Sequence, residues 1–196
     1  MKINSLGVEV EYPVLYQGTP VVPHWMKETK KRPLNLPYGF VVHKDAASIE
    51  VAMPPIKELQ PYLFREQLKD ADMYALSMLP EGYTLGNSPA CEYTDEQLSL
   101  DPYASVLGCN GTSNLYGQAP KPVYPDNWRF SGCHLNIATP DRFPILDVLK
   151  FDYLIGLTSV ILWEQPHKDA IVRRRKCYGM AGEYRIKSFG KCLGLE

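Results

Sequence analysis

The chain has 196 residues, 45% apolar and 22% charged, the balance of a globular domain with its own core rather than of a disordered or fibrous polypeptide. Twenty-one basic against twenty-two acidic side chains leave a formal charge of -1, without the basic excess that non-specific nucleic-acid binding draws on. Five cysteines without a C-x-x-C pair fit reduced thiols, and Met1 to Ser5 leads into a strand pattern without a signal-peptide core, so a cytoplasmic chain is expected.

In chain order, Val8 to Tyr12 alternates apolar and polar residues and reads as a β-strand with Glu9 and Glu11 on one face. Gln17 to Pro37 holds four prolines and the basic run Lys27 to Arg32, and reads as a long loop or lid. Phe40 to Val51 forms a second strand region closed by Pro54-Pro55. Pro61 to Leu79 has helical spacing, with Pro61 suited to a first turn and Pro80 to a stop. Residues 81 to 127 show little periodicity and are expected to be irregular. Arg129 to Thr139 alternates again. Pro144 to Glu164 suggests one or two helices, and its apolar part, Tyr153 to Trp163, is far shorter than the ~20 residues of a membrane span. Gly182 to Ser188 alternates, and Gly190 is placed to turn the chain into Cys192 to Glu196. The expected fold is a single α+β domain, with a mainly antiparallel sheet and helices on one face.

Each expected strand carries charged or hydrogen-bonding groups at i and i+2, which fall on one face of a strand. The pairs are Glu9 with Glu11, His43 with Asp45, Ser48 with Glu50, His134 with Asn136, and Glu183 with Arg185. Taken singly, each has a bland reading. A Glu-x-Glu is usually a solvated outer face, a lone histidine is usually structural, and the run Arg173 to Lys176 is most often a solvated basic patch. Taken together on neighbouring strands, they line a cup of carboxylates, imidazole and guanidinium. Crowded carboxylates raise one another's pKa unless a cation neutralises them. Oxygen ligands with one imidazole suit Mg²⁺ or Mn²⁺, and arginine beside such an ion points to a phosphate-bearing ligand.

Leu6-Gly7-Val8-Glu9-Val10-Glu11-Tyr12-Pro13 resembles the G-x-E-x-E strand that opens carboxylate-amine ligases of the glutamate-cysteine ligase and glutamine synthetase superfamily. His43 to Glu50 is similar to the D-x-x-S-x-E segment of that superfamily, and Arg129 to Ile137 to its R-x-x-G-x-H-x-H/N strand. Arg173 to Arg185 resembles the R-R-x-x-Y-G-x-A-G-E-Y-R stretch of the phage-encoded members. The motifs run in the same order from Gly7 to Glu196.

The resemblance implies a glutamine synthetase-like fold and a reaction in which ATP phosphorylates a carboxylate and an amine displaces phosphate. The implied substrates are a small-molecule or peptide carboxylate and an amine. It assigns Glu9, Glu11, Glu50 and His134 as Mg²⁺ or Mn²⁺ ligands, Asp45 as a further ligand or substrate contact, and Arg185 with Arg173 or Arg175 as phosphate contacts. Arg129 and Asn136 join them on the nucleotide side, Asn136 standing where the ligases often carry a second histidine. Gln17 to Pro37 becomes the water-excluding lid over an acyl phosphate. Gly194-Leu195-Glu196 resembles the start of a further E-x-R strand, so an incomplete site with a frayed or edge-exposed Cys192 to Glu196 is expected. Two other classes remain open: a catalytically silent relative that binds nucleotide, metal or peptide, and a metal-dependent hydrolase.

Overall fold

The computed structural model describes residues 5–57, 60–105, 113–117, 127–139, 145–156, 168–175, 182–184, 186–189 and 192–195. The fold is mixed α and β around a mainly antiparallel sheet, as the alternating patterns imply. Its spine is β1 (Ser5–Tyr16), twelve residues long and shared between two sets of partners. The first part of β1 lies between β5 (Ser48–Ala52) and β10 (Cys133–Thr139). Its last three residues pair with β2 (Thr19–Val21) and β6 (Tyr83–Leu85). The turn into β2 places Gln17 and Gly18 at φ 49° and 80°, the positive values that a tight two-residue hairpin requires.

The Phe40 to Val51 region is a hairpin rather than one strand. β4 (Val41–Asp45) and β5 pair antiparallel, with Asp45 opposite Ser48. Ala46 turns the chain at φ 49°, and no Gly or Asn marks the turn in the sequence. The edge beyond β4 is β3 (Leu34–Asn35). At the other edge, β12 (Ile186–Phe189) and β13 (Cys192–Leu195) form a hairpin, and β13 lies between β12 and β10. The expected edge position of Cys192 to Glu196 is thereby corrected for the strand itself: β12 supplies the edge, and β13 has a backbone partner on each side.

One sheet face is apolar and carries α1 (Pro61–Ser77), the helix foreseen from Pro61 onward. Val8, Tyr12, Val14, Val42, Ile49 and Val51 are buried there with Ala71 and Ala75 of the helix. The two alanines remove side-chain bulk where helix and sheet meet. Tyr12 donates its hydroxyl to Asp72 Oδ1 at 2.7 Å, which ties the helix to the spine. A second core gathers Val22, Ala47, Cys91, Tyr93, Leu98 and Ala104. It draws on the region expected to be irregular, where β7 (Ala90–Glu92) pairs with β9 (Trp128–Phe130). That region also holds α2 (Asp95–Ser99) and α3 (Pro102–Ser105). The Thr94 hydroxyl accepts from the Gln97 N–H and caps α2.

Gln17 to Pro37 is anchored at several points rather than being a free loop. Val21, Val22 and Met26 are buried, and Trp25 donates its indole N–H to Met78 O at 3.2 Å. Further along, α4 (Ile145–Phe151) runs into a π-helical turn, Asp152–Gly156, whose Tyr153 and Leu154 are exposed. The helix α5 (Lys168–Arg175) rests on β7, and β11 (Glu183–Tyr184) pairs with β8 (Ser113–Asn114) apart from the main sheet. Among the described residues, no helix is long and apolar enough to cross a membrane.

Candidate metal centre

Antiparallel register decides which side chains share a face, because directly opposed residues point the same way. Glu11 is opposite Glu50, and Glu50 is opposite His43. One residue pair along, Glu9 is opposite His134 on one side and Ala52 on the other. Gly7 faces Asn136, and Asp45 faces Ser48. Four of the five i, i+2 pairs thus converge on the face away from α1. The fifth does not join them within the described residues: Glu183 lies on the separate β8–β11 ribbon, and Arg185 is outside the described residues.

Glu11, Asp45 and Glu50 each present a carboxylate oxygen within 4.8 Å of the others. Glu50 is almost wholly buried, with 2% of its side chain exposed. Burial raises its pKa from the ordinary 4.5 to about 8, helped by the charges of Asp45 and Glu9 and a hydrogen bond to Asp45, and opposed by Lys30. Burial likewise lifts Glu11, while His134, Arg174 and the N–H of Gly132 hold it down. That N–H donates to Glu11 Oε2 at 2.8 Å. His134 Nδ1 lies 3.5 Å from Glu9 Oε2, so imidazole and carboxylate form a second pair beside the first group.

His43 completes the row. Its Nε2 is 3.4 Å from Glu50 Oε1, its side chain is 7% exposed, and neither ring nitrogen has a hydrogen-bond partner among the described residues. Burial, followed by the Lys30 charge, lowers its pKa and favours the neutral, ligand-competent imidazole. Among the described residues, Glu50 Oε2 and Asn136 Oδ1 also lack hydrogen-bond partners. Buried polar atoms without partners are costly, and those of His43 and Glu50 beside the other carboxylates fit a divalent cation held by mixed oxygen and nitrogen donors, while Asn136, opposite Gly7, lies further along the sheet.

Two cations reach this face that the sequence reading left out. Lys30 Nζ lies 3.4 Å from Asp45 Oδ2 and 3.8 Å from Glu50 Oε2, although the Lys27 to Arg32 run reads as an exposed loop. Arg174 approaches Gly132, where an added Cβ would lie 2.5 Å from its Nη2, and its charge acts on Glu11. The helix α5, which rests on β7, reaches this face through the Arg174 side chain.

The other arginines have different places. Arg173 stacks on the Trp128 ring at 4.0 Å. Arg129 is buried and donates to the carbonyls of Ala104 at 2.6 Å, Trp128 at 2.8 Å and Ser105 at 3.4 Å, so it braces α3 against β9. Arg175 ends α5, and its side chain lies outside the described residues. The helical turn of roughly 100° per residue explains why the neighbours Arg173 and Arg174 point different ways.

No protein-family model, curated protein or solved structure matches this chain.

Proposed function

We infer that this protein is an ATP- and divalent-cation-dependent ligase that forms an amide bond between a carboxylate and an amine. The observation that carries the reading is the gathering of Glu11, Asp45 and Glu50 within 4.8 Å, with His43 beside them and the Glu9–His134 pair next along the sheet. The order of the ligase-like motifs supports the same reading.

Glu9, Glu11, Glu50 and His134 hold the cation or cations, with Asp45 and His43 adjoining. A divalent ion bound there supplies charge neutralisation for phosphate oxygens. Arg174, which reaches Glu11, takes the phosphate-facing role that the motif alone suggests for Arg173, Arg175 or Arg185. The γ-phosphoryl group of ATP passes to a carboxylate oxygen of the substrate, leaving ADP. The amine nitrogen then bonds to the acyl carbon, the C–O bond to phosphate breaks with its electron pair, and the nitrogen gives up a proton. Asp45, whose side chain is 39% exposed, takes that proton.

The test is phosphate release from ATP with Mg²⁺ or Mn²⁺ in the presence and absence of a panel of carboxylates and amines. Release that requires both an amine and a carboxylate, and that disappears in the Glu9→Gln/Glu11→Gln double variant, is the expected result. Cation-dependent hydrolysis without ATP overturns it in favour of a hydrolase. Nucleotide binding by calorimetry without turnover favours a silent binding relative, a reading supported by the Lys30 ammonium already lying against Asp45 and Glu50.

A further inference from the structure

We propose that Lys30 is a displaceable resident cation of this centre, which competes with a divalent ion for Asp45 and Glu50 and so sets the affinity of the site. The inference rests on the metal-binding part of the function proposed above and adds a residue that no motif identifies.

Three features carry it. Lys30 touches two of the three clustered carboxylates, while the third, Glu11, accepts the Gly132 N–H instead. A cation entering between Asp45 and Glu50 must therefore replace the ammonium. Next, Lys30 sits at the tip of a small turn that is pinned at its base. Thr29 and Arg32 exchange backbone hydrogen bonds of 3.2 and 2.8 Å, and the Lys44 N–H donates to Glu28 O at 3.0 Å. The base of the arm is fixed to β4, but the arm itself is 69% exposed, so its side chain swings out without unfolding anything. Finally, among the described residues both ring nitrogens of His43 lack a hydrogen-bond partner at 7% side-chain exposure, with Nε2 3.4 Å from Glu50 Oε1. An ammonium can only donate a hydrogen bond and has no vacant orbital to take an imidazole lone pair, and Lys30 Nζ lies against Asp45 and Glu50, so it leaves the nitrogen donor unused. A divalent ion satisfies both, and that difference lets it displace a tethered lysine.

Across the turn, Lys31 supplies the control. It carries the same charge one residue away and has no contact with Asp45 or Glu50 among the described ion pairs. Isothermal titration of the full chain with Mn²⁺ alone, at low and constant ionic strength, compares wild type with Lys30→Met, Lys30→Arg and Lys31→Met. Lys30→Met keeps the aliphatic stem and should bind Mn²⁺ at least tenfold more tightly. Lys30→Arg should stay near wild type or bind more weakly, and Lys31→Met should change affinity less than twofold.

Equal Mn²⁺ affinity in wild type and Lys30→Met overturns the competition while leaving the metal centre standing. Equal tightening by Lys30→Met and Lys31→Met also overturns it, because long-range charge alone is then responsible. If no variant binds Mn²⁺, the metal centre and the competition fall together. Circular dichroism of each variant, matching wild type, shows that the comparison is made on folded protein.

Discussion

Glu50→Gln isolates the cost of the buried carboxyl, because glutamine keeps the shape of a protonated glutamate and never ionises. With the folded-state pKa of Glu50 raised to about 8 from an ordinary 4.5, the native state holds a proton that the unfolded chain has released across that interval. Stability is thus fully present below pH 4.5 and is lost as pH rises towards 8. His43 acts in the opposite sense at lower pH: its depressed pKa makes stability fall as pH drops through 6.5, where the unfolded imidazole gains its proton. Between pH 6.5 and 8, Glu50 therefore dominates. At about 1.4 kcal/mol per pH unit for one proton, the window carries roughly 2 kcal/mol, or about 4–8 °C in Tm for a chain of this size. Thermal melts without added metal should show wild type losing this stability from pH 6.5 to 8 while Glu50→Gln stays nearly flat. Parallel curves for the two proteins would refute the buried, proton-holding Glu50.

Gly132→Ala places a Cβ 2.5 Å from the mobile end of Arg174, so it should cost under ~1 kcal/mol yet push Arg174 from Glu11. Carboxyl titration by NMR should then show Glu11 raised further, and an unchanged titration would place Arg174 elsewhere. Arg129→Lys removes a planar fork that binds three carbonyls and should lower urea stability by about 2 kcal/mol with Mn²⁺ affinity unchanged. Reduced Mn²⁺ affinity at unchanged stability would overturn this bracing role and put Arg129 at the metal centre. Tyr12→Phe removes the hydroxyl that bonds Asp72 of α1, whose exposed carboxylate then turns to water, and should cost about 1 kcal/mol in urea denaturation, while an unchanged midpoint would make that hydrogen bond dispensable.

What could be read from the sequence follows the period of a strand. Alternation placed Glu9, Glu11, Glu50, Asp45, His43, His134 and Asn136 on strand faces, and the register does bring them to one side. The turn between β4 and β5 was not legible, because Ala46-Ala47 lacks the glycine or asparagine that usually marks a positive φ. Lys30 was hidden for another reason: its reach to Asp45 depends on how a loop docks across β4, a contact fifteen residues away that local pattern does not encode. Arg174 was closer to hand. Reading 168–175 as a helix would have shown that one arginine of the three faces a given partner. The Thr94-x-x-Gln97 spacing likewise announces a helix start inside the stretch expected to be irregular.

The two faces of the sheet divide the energetic work. Glu11 directly opposite Glu50 is an unfavourable cross-strand pair, and the same strands are held together from behind by Val8, Tyr12, Val14, Ile49 and Val51 against α1. Each buried Val or Ile contributes about 1.5–3 kcal/mol, so these side chains outweigh a roughly 5 kcal/mol upper bound for ionising Glu50 in place. The polar face can therefore remain poorly satisfied without unfolding the strands that carry it, and that leaves free energy for a ligand to recover. A divalent ion must compete with the proton on Glu50 as well as with Lys30. Its stabilising effect should accordingly grow as pH rises towards 8 and level off beyond, where Glu50 has given up its proton. A thermal response to Mn²⁺ that weakens over that range would contradict a site built on this carboxylate.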